Sequence, residues 1–199
     1  MISLSQDMHN HRFIDQNANQ TLVVFHGMGS SKEDMIDLAR HLAPHHNLLL
    51  LDGNDLSSGM RRYFKRTNTG LDLEDLKRQA TLIAEDLGLL RIEYGLTEQP
   101  FDAMGYSNGA NMILGMVFEN TFPFRKALIL RPALIDLPLK AKSTTQLRLH
   151  LASHDQYLSA SDRPKLLQNL SPLNPISQLY PGAHPLTEDD LKDAIAFFK

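Results

Sequence analysis

Residues 102–112 read DAMGYSNGANM. An apolar run leads into Gly105-Tyr106-Ser107-Asn108-Gly109, and the helical pattern NGANMILGMVFEN (108–120) follows it. A serine thus sits at a strand-to-helix junction with a glycine two residues away on either side. Where a strand turns sharply into a helix, the residue at the corner is forced into a strained backbone conformation and its side chain is lifted above the sheet. The flanking positions then press on neighbouring backbone, and glycine removes the Cβ that would collide. The pattern predicts a nucleophile elbow with Ser107 at its apex. The plain alternative is a glycine-rich turn whose serine caps a helix.

Working outward, strand-like and helical patterns alternate along the chain. TLVVF (21–25), NLLLLDG (47–53), FDAMGY (101–106), KALIL (126–130), QLRLHLA (146–152) and PISQLY (175–180) have the apolar density of strands. KEDMIDLARHLAP (32–44), DLEDLKRQATLIAEDLGLL (72–90), RPKLLQNL (163–170) and TEDDLKDAIAFF (187–198) have helical spacing. Thr187, with Asp190 three residues on, predicts a capping box. Such alternation implies a mostly parallel, doubly wound sheet with helices on both faces. The 199 residues are expected to form one domain, with residues 1–18 as an irregular N-terminal segment. In open sheets of this kind, ligands bind beyond the C-terminal strand ends.

Composition narrows the chemistry. The chain has no cysteine, which excludes disulfides, thiolate nucleophiles and zinc ribbons. A net charge of −3 argues against nucleic acid as a partner. The N-terminal MISLSQDMHNHRF lacks a signal-peptide pattern, and no apolar run is of membrane-spanning length. The expectation is a soluble, cytoplasmic protein with neither membrane nor nucleic-acid partner. A homodimer is left open.

A serine hydroxyl needs a base to take its proton, and the base needs a third group to orient it. Asp155 follows QLRLHLA and His184 follows PISQLY, each at a strand end and in the order serine, acid, histidine. Asp136, Asp162, His150 and His154 are the competitors. In FHGMGSS, after the first of these strands, the backbone N–H of Met28 can join that of Asn108 as an oxyanion hole, with Gly27 and Gly29 allowing the turn. His26 is expected to orient this loop rather than transfer protons.

Other patterns carry less. GMRRYFKR (59–66) clusters Arg61, Arg62, Lys65 and Arg66, and reads as a solvated turn partly neutralised by Asp72, Glu74 and Asp75. His41 and His45 lack the intervening carboxylate of a metal-binding HExxH helix, and no metal is expected. Gly27-x-Gly29 with Asp52 imitates a dinucleotide fingerprint, but Lys32 occupies the third glycine position.

These segments together resemble the α/β-hydrolase superfamily, in particular its small bacterial carboxylesterase/phospholipase branch, related to acyl-protein thioesterases and dienelactone hydrolases. The matching stretches are HGMGSSKEDMIDLARHLAP, GMRRYFKR, GYSNGANM, LRPALI, ASHDQYLS and GAHPLTEDDL. The resemblance implies Ser107 as nucleophile, Asp155 as acid, His184 as base, and Met28 with Asn108 as oxyanion donors. It implies hydrolysis of small esters or thioesters without a cofactor, and offers Met60, Phe64 and Tyr157 as pocket residues. Gln156-Tyr157 stand where the branch often has a proline-hydrophobic pair, and Ala183 and Pro185 flank the histidine where glycines are common.

Overall fold

The computed structural model describes residues 8–57, 59–68, 70–141 and 143–199. Its strands are β1 (His11–Ile14), β2 (Thr21–Phe25), β3 (Asn47–Leu51), β4 (Arg66–Thr67), β5 (Gly70–Leu71), β6 (Phe101–Tyr106), β7 (Lys126–Leu130), β8 (Gln146–Ala152) and β9 (Ile176–Tyr180). Its α-helices are α1 (Ile36–Leu42), α2 (Leu73–Glu93), α3 (Asn108–Glu119), α4 (Asp162–Leu170) and α5 (Glu188–Phe198).

Seven strands form one sheet in the order β1-β3-β2-β6-β7-β8-β9, parallel except for β1, which runs antiparallel along β3. Successive strand side chains point to opposite faces, and the core divides accordingly. Val23, Phe25, Leu49 and Ile129 join α2 and α3 on one face. Leu22, Val24, Leu50 and Leu128 join α1 and α5 on the other. The apolar density of β2 and β3 follows, since both of their faces are covered.

Two regions differ from the sequence expectation. Residues 1–18 were expected to be irregular, yet His11–Ile14 form the edge strand β1, and residues 1–7 lie outside the described residues. HRFI is too short and too polar to announce itself, and only its pairing with β3 makes it a strand. The basic segment is also less solvated than expected. Arg62 is buried beside Asp55 at 3.5 Å, and Arg61 donates to the Gly53 carbonyl and lies 3.8 Å from Asp52. The charges of the downstream acids go to α2: Asp72 caps its N-terminus, and Glu74 and Asp75 pair with Lys77 and Arg78, although Asp75 also accepts from the Lys65 N–H at 2.8 Å. Among the described residues no helix is long and apolar enough to cross a membrane.

Candidate active site

β6 ends at Tyr106 and α3 begins at Asn108, leaving Ser107 alone at the corner with φ 53° and ψ −108°. This left-handed, strained backbone is one that a non-glycine residue rarely adopts. A Cβ on Gly105 would lie 2.5 Å from the carbonyl of Gly109, and one on Gly109 would lie 2.3 Å from the carbonyl oxygen of Phe25. The two glycines therefore let α3 sit directly against β6 and β2. The Ser107 N–H is held by the Leu130 carbonyl at 2.9 Å, so the strained residue is pinned to β7.

The neighbouring loops complete a donor pair. Among the described residues, the backbone N–H groups of Met28 and Asn108 have no partner, and both residues share a cavity wall with Ser107. Asn108 is fixed from the side, its Oδ1 accepting from the Tyr63 N–H at 2.9 Å. His26 holds the Met28 loop from below. Its Nε2 faces the Gly53 N–H at 3.0 Å and its Nδ1 faces the Gly27 carbonyl at 2.6 Å. A backbone N–H only donates and a carbonyl only accepts, so the ring carries its proton on Nδ1 and is neutral. Burial lowers its pKa, which agrees with that state. The expectation that His26 orients this loop is met.

β8 and β9 are adjacent, and their trailing loops are stitched together. His154 N–H donates to the Gly182 carbonyl at 2.9 Å, and Gly182 N–H donates to the Ser153 hydroxyl at 3.1 Å. This brings His184 Nδ1 to 3.0 and 2.9 Å from the two oxygens of Asp155. A carboxylate only accepts, so Nδ1 bears a hydrogen, and in the neutral ring Nε2 is the acceptor. Asp155 is buried and also accepts from the Tyr157 N–H at 2.9 Å. The His184 ring packs 5.2 Å from the ring of Tyr106, the residue before Ser107, and 4.7 Å from that of Tyr157. Among the described residues, neither the Ser107 hydroxyl nor His184 Nε2 has a hydrogen-bond partner. The structure thus joins acid to histidine, but forms no serine-to-imidazole hydrogen bond. Such bonds are commonly long without substrate and tighten when it binds.

A third layer was not read from the sequence. Arg131, at the end of β7 with φ 54°, is fully buried and reaches both oxygens of Asp190 at 2.8 and 2.5 Å, as well as the Pro185 carbonyl at 3.4 Å. Asp190 also accepts from the N–H and hydroxyl of Thr187, and its own N–H donates to that hydroxyl oxygen, completing the expected capping box. His150 lies behind it, 3.5 Å from the same carboxylate. Burial works against the charged carboxylate, but these donors more than offset it and hold the Asp190 pKa far below its usual value. The network anchors the chain on both sides of residue 186. LRPALI could have hinted at Arg131, but nothing local connects residues 131, 150 and 190.

The cavity over Ser107 has a volume of about 410 Å³. Tyr157 lines it. Phe64 does not, contrary to expectation. It is fully buried in the core, because the neighbouring Tyr63 ties this turn inward through hydrogen bonds to the Leu51 carbonyl and the His26 N–H. Met60 is half exposed beside Gly29 and lies outside the cavity wall. Of the other carboxylates, Asp136 lines the cavity but pairs with Lys165 at 2.6 Å. Asp162 opens α4 without capping it, since the cap position is Ser161. His154 is exposed and bonds to Ser153. Among the described residues, no three His, Asp or Glu side chains converge in a manner that could hold a metal ion.

No family model matches the chain. It is 25% identical over 189 residues to "Putative hydrolase MhqD" of Bacillus subtilis (strain 168), covering 92% of this chain and 94% of that protein. The fold is similar to the Bacillus cereus carboxylesterase, with a TM-score of 0.84 at 24% identity over 97% of this chain and 94% of the other. It is also similar to a carboxylesterase from Mesorhizobium loti, with a TM-score of 0.85 at 21% identity over 97% and 96% of the two chains. The expected α/β-hydrolase fold is therefore the fold of this chain.

Proposed function

We propose that the protein is a serine hydrolase that cleaves small carboxylic esters or thioesters through an acyl-enzyme. The observation that carries this reading is the strained, half-buried Ser107 at a corner cleared by two glycines, with the His184 imidazole held nearby through Nδ1 by a buried carboxylate. The names of its relative and of the solved neighbours, a hydrolase and carboxylesterases, support it.

In this reading the Ser107 oxygen attacks the substrate carbonyl while His184 Nε2 takes the hydroxyl proton. The resulting imidazolium is stabilised by Asp155, which accepts from Nδ1 throughout. Negative charge gathers on the former carbonyl oxygen, where the Met28 and Asn108 N–H groups donate to it; their fixed dipoles need no reorganisation when the charge appears. Collapse of this intermediate expels the alcohol or thiol, which receives the proton from Nε2. Water then attacks the acyl-serine with His184 as base, releasing the acid and restoring Ser107. A lactone would follow the same steps, with its alcohol remaining on the product. No step requires a cofactor.

Incubation with a fluorophosphonate probe followed by mass analysis tests the reading. Stable addition at Ser107 is expected, with turnover of an aryl ester falling about a millionfold in Ser107→Ala. A protein that keeps this fold only to bind a ligand would take no label, and near-normal turnover in Ser107→Ala would reject the nucleophile.

A further inference from the structure

The cavity wall carries an unequal charge. Arg131 contributes to it, but its guanidinium is spent on Asp190. Asp136 contributes to it and is paired with Lys165. Arg66 remains. Its side chain has no ion pair or hydrogen bond among the described residues, and its guanidinium stands over the ring of Tyr157 at 5.9 Å from the centroid. Arg61 and Arg62, its neighbours in the basic segment, are both drawn to aspartates. With the wall's other charges paired, one positive charge faces the space above Ser107.

Two features suit that charge to a ligand. Arg66 lies in β4, and the β4–β5 pair supplies Gly70 and Leu71 to the same wall, so the cation is carried by paired backbone. Asn111, buried on α3 and also in the wall, uses its Oδ1 to accept from the Ala133 N–H at 2.8 Å. That bond sets the amide orientation and leaves its NH₂ without a partner among the described residues, a second donor in the same cavity. A planar guanidinium offers paired N–H donors that match a carboxylate.

We propose that Arg66 recognises a carboxylate on the substrate, so that the site selects esters bearing a negative charge a few atoms from the scissile carbonyl. The inference rests on the ester-hydrolase reading for its choice of substrate, and its test separates the two. Monomethyl succinate against methyl butyrate exchanges a terminal methyl for a carboxylate on the acyl side. The pair 3-acetoxybenzoate and phenyl acetate exchanges a ring hydrogen for a carboxylate on the alcohol side.

In wild type the charged member of at least one pair is expected to have a kcat/KM about tenfold higher relative to its neutral partner, as suits a charge-assisted bond at a partly open site. That ratio should collapse in Arg66→Gln, survive in part in Arg66→Lys, and shrink as salt is raised. Calorimetry of succinate binding to the Ser107→Ala protein gives a readout without catalysis, and affinity should fall severalfold when Arg66→Gln is added.

Esters hydrolysed with the same charge ratio in wild type and Arg66→Gln would overturn the role of Arg66 and leave the hydrolase standing. Arg66-dependent succinate binding with no ester turnover would keep the carboxylate site and reject the hydrolase. Absence of both ester turnover and Arg66-dependent succinate binding would reject both.

Discussion

The turn at Ser107 and the loop carrying His184 meet where the His184 ring packs on that of Tyr106, but they are held by different forces. Around Ser107 the constraints are steric and made by backbone: Gly105 packs on Gly109, Gly109 packs on β2, and the Ser107 N–H is bonded to β7. Around His184 the chain from Pro181 to Ala183 is exposed, and apart from the His154 N–H to Gly182 carbonyl bond its position depends on polar side chains from elsewhere, namely Asp155, Ser153, Tyr106 and the Arg131–Asp190 pair. A backbone-built corner has one low-energy shape. A loop moored by side chains is only as fixed as its moorings, which suits the role proposed for His184, a base that closes on the serine when substrate arrives.

Breaking the moorings should have the largest effect. Arg131→Met leaves Asp190 as a buried charge without its main partner, and is expected to cost about 3–5 kcal/mol in urea unfolding. The double variant Arg131→Met with Asp190→Leu should recover part of that loss, because no unpaired charge remains. A cost below about 1 kcal/mol in the single variant would mean the carboxylate finds water, and the loop is not moored as described.

The steric corner offers a sharper contrast through two glycines. Gly109→Ala would drive a methyl into the Phe25 and His26 carbonyls, at 2.3 and 2.6 Å, and should cost about 3 kcal/mol or more. Gly182 has φ +123° but nothing within 4 Å of its would-be Cβ, so Gly182→Ala should cost only about 1 kcal/mol, from backbone strain. Equal losses in thermal unfolding would erase the distinction between the two regions.

The smallest effect concerns His26, below the Met28 loop. An unfolded imidazole titrates near 6.5, whereas burial lowers the folded value. The unfolded chain therefore binds a proton that the folded one refuses. The stabilisation is complete above pH 6.5 and is lost as pH falls toward the lower folded pKa, with a slope of at most about 1.4 kcal/mol per pH unit for one proton. His26→Gln should flatten unfolding free energy against pH between 6.5 and 5, whatever its effect at neutral pH. An unchanged slope would place the titration elsewhere.

The contrast also explains what could be read in advance. Glycines two residues either side of a serine, between strand and helix, carry their steric reason within five positions. The strand and helix patterns likewise record local burial: β2, β6, β7 and β8 fall on the bounds read from TLVVF, FDAMGY, KALIL and QLRLHLA. β1 escaped because HRFI is a strand only by virtue of its partner β3. Phe64 was misplaced because an aromatic near a site and an aromatic in the core look alike until Tyr63 is seen pulling the turn inward. Asp155 and His184, picked out by order and strand ends, are brought into hydrogen-bond contact, while the basic cluster was judged as a unit although its members separate.

By itself, then, the sequence determined the alternation of elements, the two-faced burial of the sheet and the strained serine corner, since each follows from interactions between residues close in the chain. Tertiary structure alone decided that Arg131, His150 and Asp190 would meet, that Arg61 and Arg62 would be paired while Arg66 was left facing the cavity, and which face of the basic segment would look inward. Charges attract across whatever distance the fold leaves between them, and that distance is set by packing rather than by position in the chain.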